Sequence, residues 1–136
     1  MALPNGAGGY QVGDGNLSEV TLGVQPTPPT ATTGATLTVA QITSGILLGS
    51  PGTTASAYTL PAVATLEATV SSAKVNSAFD FSVCNVNGSS TGVITMTAGT
   101  GWTVVGLATV AATAGTTGLF RAVKTGDGTW SLYRLA

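Results

Sequence analysis

The stretch LFRAVKTGDGTWSLYRL, residues 119–135, decides the fold. Two runs rich in β-branched and aromatic residues flank Gly126-Asp127-Gly128, a composition that predicts a β-hairpin. A register centred on Asp127-Gly128 puts Leu119, Arg121 and Val123 on one face with Trp130, Leu132 and Arg134. Phe120 and Ala122 then share the other face with Ser131 and Tyr133. In that register Arg121 and Arg134 lie opposite each other, which is unfavourable unless an anion intervenes. Asp80, Glu67 or a carboxylate of a neighbouring subunit would serve, making the two arginines candidates for ion pairing between subunits; the alternative is two solvated guanidinium groups splayed apart at the end of the sheet. Neither face of the hairpin is cleanly polar, so it is expected either at the centre of a sandwich or against a partner.

Upstream, the pattern stays β. Phe79, Phe81 and Val83 alternate with Asp80, Ser82 and Cys84, and Asn87-Gly88 supplies a turn. Residues 93–97, 102–105 and 109–112 follow as short strands broken by glycine. Before them, Thr38-Val39-Ala40-Gln41 has the form of a capping box, opening a short helix that Gly45 stops. Residues 46–48 and 58–60 read as strands around the turn Ser50-Pro51-Gly52. Pro61 suits a first helical position, and Val63, Leu66 and Val70 mark one apolar face of a helix ending near Ser71. The fold expected is mainly β: a small sandwich or barrel, jelly-roll-like or immunoglobulin-like, with one or two short helices.

That body covers residues 36–136. Residues 1–35 read differently, as a glycine-rich thread, a brief alternation over residues 19–24, and a QPTPPT spacer at 25–30. Pro26, Pro28 and Pro29 favour an extended polyproline-type segment. Fully extended, such a tail reaches on the order of 110 Å, far enough to touch another subunit. It is expected to be a docking arm whose apolar anchors are Leu3, Tyr10, Val12, Leu17, Val20 and Leu22.

Composition narrows the functions. Only 7% of the 136 residues are charged, there is no histidine, and about two dozen are threonine. Histidine-dependent triads and histidine metal sites are therefore excluded, and the five acids are scattered. A net charge of −1 gives no footprint for nucleic acid. Residues 101–120 are uncharged but too rich in threonine and glycine for a membrane-spanning helix. The single cysteine, Cys84, permits no internal disulfide. Ser71-Ser72-Ala73-Lys74 and Lys124-Thr125-Gly126 match loose strings of penicillin-interacting serine enzymes, without the S-D-N that belongs between them. Residues 6–15 lack the Gly-Lys-Ser/Thr of a phosphate loop, and Asp14, Asn16, Ser18 and Glu19 fall short of a calcium loop. The expectation is no enzyme, no cofactor and no metal. A surface so poor in charge suits a protein largely covered by neighbours.

The opening ALPNGAGGYQVGDGNLSEV, the Pro/Thr spacer, LTVAQITSGIL, YTLPAVATLEATV, FDFSVCNVN and the closing FRAVKTGDGTWSLYRLA together resemble small head-decoration (cement) proteins of tailed bacteriophages, including cyanophage-type viruses. The resemblance implies a β-rich structural virion protein on the outer capsid surface. It implies a homotrimer, with the major capsid protein as partner, clamping adjacent capsid subunits; it carries over no catalytic residue. The competing expectation is a fibre-tip or receptor-binding module that recognises carbohydrate by stacking sugar rings on exposed Trp102, Trp130, Tyr58 or Tyr133.

Overall fold

The computed structural model describes residues 22–87, 91–113 and 115–136. The expected capping box forms. The Gln41 amide donates to Thr38 Oγ1 at 3.2 Å, and the Thr38 amide donates to Gln41 Oε1 at 2.8 Å. Helix α1, Val39–Thr43, starts there and is ended by Gly45, whose φ of 92° only glycine adopts without strain. A Cβ at that position would also sit 3.0 Å from Gln25 Oε1. Helix α2, Val63–Thr69, buries Val63 and Leu66 and ends before Ser71. Its N-cap is Ala62, so Pro61 lies just ahead of the helix rather than in its first turn.

Strands make up 42% of the described residues and helix 11%, and two sheets pack together as a small sandwich. The six-stranded sheet has the order β1-β3-β5-β9-β10-β7, from Thr30–Ala31, Ile46–Gly49, Ala78–Asn85, Thr116–Gly126, Thr129–Arg134 and Trp102–Val105. The four-stranded sheet has the order β2-β4-β6-β8, from Ala35–Thr36, Ser56–Thr59, Ile94–Thr97 and Thr109–Val110. Successive strands from β1 to β9 alternate between the two sheets, so β1, β3 and β5 run parallel, as do β2, β4 and β6. This coil-like winding, with its parallel pairs, builds the small mainly β sandwich or barrel-like fold expected from the sequence. It also draws Thr30 and Ala31, within the stretch read as arm, into the sheet; Ala31 is buried.

The hairpin β9–β10 forms around Asp127 and Gly128 with a register that differs by one residue from expectation. Thr129 pairs with Gly126 but Trp130 pairs with Lys124, leaving Thr125 as a bulge. The Thr125 hydroxyl bonds the Thr129 carbonyl at 3.2 Å and the Thr129 hydroxyl at 3.1 Å, which fixes it. The slip turns the side chains of β10 after Thr129 to the other face. Trp130 and Leu132 therefore join Phe120 and Ala122 in the core, and Arg121 faces Tyr133 instead of Arg134.

The core is aromatic at its centre. Trp130 lies 6.0 Å from Trp102 and 5.8 Å from Phe79, and Phe81 stacks on Phe120 at 5.8 Å. Polar atoms that enter this layer are matched. The Tyr58 hydroxyl donates to the Ala31 carbonyl at 3.1 Å, tying the two sheets, and Trp102 Nε1 donates to the Pro61 carbonyl at 2.7 Å. Burial raises the pKa of the Tyr58 phenol.

Candidate interaction surface

The chain enters the sandwich along a short strap. Pro29 O accepts from the Leu48 amide at 2.9 Å, and Thr30 O accepts from Gln41 Nε2 at 2.8 Å, so β3 and α1 hold its end. Upstream, Gln25 Nε2 donates to the Ser44 carbonyl at 2.7 Å and to the Pro26 carbonyl at 2.9 Å. Pro26, Thr27 and Pro29 face Ala40, Thr43 and Ser44 across a groove of about 360 Å³. Proline supplies the fixed φ that keeps such a strap extended without internal hydrogen bonds.

Residues 22–24, ahead of Gln25, stand exposed. Leu22 is 87% exposed and Val24 is 97% exposed, while a Cβ built on Gly23 would meet nothing within 4 Å. Of the apolar anchors expected on the arm, Leu22 is therefore placed in solvent; Leu3, Tyr10, Val12, Leu17 and Val20 lie outside the described residues.

A second exposed apolar group lies at the far edge of the six-stranded sheet. Strand β7 is outermost there and, among the described residues, pairs only with β10. Val105 at its end is 44% exposed, Leu107 71%, and Leu135, which follows β10, 45%. No charged residue occurs between Phe81 and Phe120, so neither β7 nor its flanks carry one. The sequence contained this signal in the length of that uncharged run, but β7 becomes an edge only through pairing.

Among the described residues, four charged side chains are matched in two ion pairs. Arg121 Nε and Nη2 bind Asp80 Oδ1 and Oδ2 at 2.7 and 2.9 Å, a two-pronged pair across β9 and β5. The hydrogen bond from Arg121 is the main reason the Asp80 carboxyl is held below its ordinary range. Lys124 Nζ lies 2.9 Å from Glu67 Oε1, which also accepts from Trp130 Nε1 at 3.2 Å. These bonds, the lysine's first, lower the Glu67 pKa against the opposing effect of desolvation. Lys124 thereby fastens α2 to β9 and also donates to the Ala73 carbonyl at 3.3 Å, while Ser71 and Lys74 are exposed. Arg134 meets main-chain oxygens, those of Thr109 and Ala136, rather than an Asp or Glu side chain of the described residues.

Among the described residues there is no group of three His, Cys, Asp or Glu side chains placed to hold a metal, and no helix is long and apolar enough to cross a membrane. The rings on which carbohydrate binding would depend are placed inside: Tyr58, Trp102 and Trp130 are buried, and Tyr133 is half-buried on the outer face. What the surface offers is apolar contact and main-chain hydrogen bonding at a sheet edge and an outgoing strap. Comparison with protein families, with curated proteins and with solved structures finds no match.

Proposed function

We propose that this chain is a structural fastener of a tailed-phage head, seated on the outer capsid surface as a homotrimer and clamping adjacent major capsid subunits. The single observation that supports the reading most is the outgoing strap: Leu22 and Val24 stand in solvent immediately before a segment pinned to the body by Gln25. Apolar side chains so exposed favour burial on contact with another chain, at about 25 cal/mol per Å² of apolar surface covered. Part of that gain is cancelled by ordering the arm. Repetition over a symmetric shell compensates, because many modest contacts act together.

The body suits such a role. Among the described residues its ion pairs are internal, the buried Tyr58 hydroxyl and Asn85 amide are matched, and neither residues 22–24 nor β7 carries a charge. Deleting residues 1–24 keeps the Gln25 peg and β1, so the body is expected to fold and to lose its hold on heads. Binding of the truncated chain to undecorated heads at full occupancy would contradict the reading.

A further inference from the structure

The strap from Gln25 to Pro29 is stiff by composition. Each of its residues is a proline or directly precedes one. The rings fix φ at Pro26, Pro28 and Pro29, and they push Gln25 and Thr27 into extended backbone. At about 3.1 Å per residue the strap is a lever about 12 Å long. Its inner end is fixed by main-chain acceptors: the Leu48 amide donates to the Pro29 carbonyl at 2.9 Å, and Gln41 Nε2 donates to the next carbonyl, that of Thr30, at 2.8 Å. Among the described residues, its outer end is hydrogen-bonded to the body through one side chain, that of Gln25. We infer that Gln25 is a latch: closed, it holds the lever against α1 and sets the direction in which the outgoing chain is presented; open, it lets the strap swing about Pro29.

The latch is built from both sides. Ser44 is the C-cap of α1, and its carbonyl is one that a helix end leaves without an intrahelical partner. Gln25 Nε2 supplies the partner at 2.7 Å and donates also to the Pro26 carbonyl at 2.9 Å, which braces the side chain against its own main chain. The Ser44 hydroxyl donates to the Ile46 carbonyl at 3.2 Å and holds the receiving turn. Gly45 leaves room for the glutamine, since a Cβ there would stand 3.0 Å from Gln25 Oε1.

One exposed hydrogen bond favours the closed state by about 2- to 12-fold, so the strap is oriented without being locked. Leu22 and Val24 are exposed and Gly23 meets nothing within 4 Å, so the heading of this segment is set at Gln25. The use of the latch rests on the reading of this segment as the root of a capsid-docking arm; the latch itself belongs to the free protein. An arm already presented in one direction loses less freedom on docking and binds more tightly in proportion to the closed population.

The experiment uses the full chain, with magnetic relaxation of its main-chain amides and urea unfolding beside it. In the wild type the Thr27 amide is expected to be about as rigid as those of Thr30 and Ala31. In Gln25→Ala its order parameter is expected to fall from about 0.85 towards 0.6, with Thr30 and Ala31 unchanged. Gln25→Glu keeps the shape but loses the donor, and is expected to match Gln25→Ala. The urea midpoint is expected to stay the same in both variants, which a general structural role would not allow. A Thr27 amide as mobile in the wild type as in Gln25→Ala, Gln25→Glu as ordered as the wild type, or a lowered midpoint with order intact would each overturn the inference. On undecorated heads both variants are expected to bind about 2- to 12-fold more weakly, and equal binding would overturn the positioning role. Heads that the wild type itself does not bind would refute the capsid reading, while relaxation still decides the latch.

Discussion

Asn85 is the residue whose replacement tests the reasoning about this sandwich most sharply. It ends β5, is fully buried, and its side-chain amide donates to the Gly92 carbonyl at 2.8 Å and the Ala111 carbonyl at 2.9 Å. Its Oδ1 accepts from the Asn87 amide at 3.0 Å. Gly92 leads towards β6 and Ala111 follows β8, so this one side chain bonds both chain segments that join the opposite sheet. Asn85→Leu nearly conserves volume and so isolates the polar loss from cavity effects. Two donated bonds disappear, and the Gly92 carbonyl, in a buried residue, is left without its partner. At about 1 kcal/mol for each bond, plus 1–3 kcal/mol for a stranded buried acceptor, the loss is about 3–5 kcal/mol. That corresponds to a fall in Tm on the order of 10–15 °C for a domain of this size. Urea unfolding followed by tryptophan fluorescence reads the difference, with an unchanged m-value expected. Asn85→Asp is expected to be worse than Asn85→Leu at pH 7, because a carboxylate faces the two carbonyl oxygens. A loss below about 1 kcal/mol for Asn85→Leu, or the reverse order of the two variants, would refute the argument.

Further outcomes follow from the same geometry. Asp80 and Glu67 have depressed pKa values in the fold, so their contribution to stability is complete above the ordinary carboxyl range and is lost as pH falls through the lowered values. Denaturant midpoints are expected to drop between pH 5 and pH 2, at about the carboxyl range, and less steeply in Asp80→Asn/Glu67→Gln. Tyr58→Phe removes the hydroxyl bond to Ala31 and strands that carbonyl, costing about 1–3 kcal/mol in urea unfolding; a neutral result contradicts the role given to the hydroxyl. Gly99→Ala is expected to destabilise or distort the turn before β7, since its Cβ would meet the Leu60 carbonyl oxygen at 2.0 Å. Binding to heads is expected to change little up to about 1 M salt, where screening is nearly complete, because residues 1–24 carry only two charges, Asp14 and Glu19.

The elements legible in the sequence are those fixed by local chemistry. The capping box at Thr38 and Gln41, the Gly45 stop, the alternation through Phe79, Phe81 and Val83, and the hairpin at Asp127-Gly128 each depend on residues a few positions apart. What was not legible is non-local. Strands β1 and β2 have two residues each, too few to show a period, and exist because β3 and β4 offer them edges. The winding of the chain between sheets follows from pairings tens of residues apart. The Thr125 bulge turns on two hydroxyl contacts, yet it decides which face of β10 is buried and which partner Arg121 meets. Asn85 was one letter in an alternating run; its value lies in the carbonyls of Gly92 and Ala111, which only the folded chain brings to it. On the interaction surface, the uncharged character was plain, but its division into an outgoing strap and an open sheet edge was not.

Whether this protein fastens capsids is measured most directly by imaging undecorated heads after addition of the full chain and, separately, of the chain lacking residues 1–24. The account predicts ordered density for the full chain bridging adjacent capsid subunits on the outer surface, and bare heads with the truncated chain. Bare heads with both, or equal decoration by both, would contradict it.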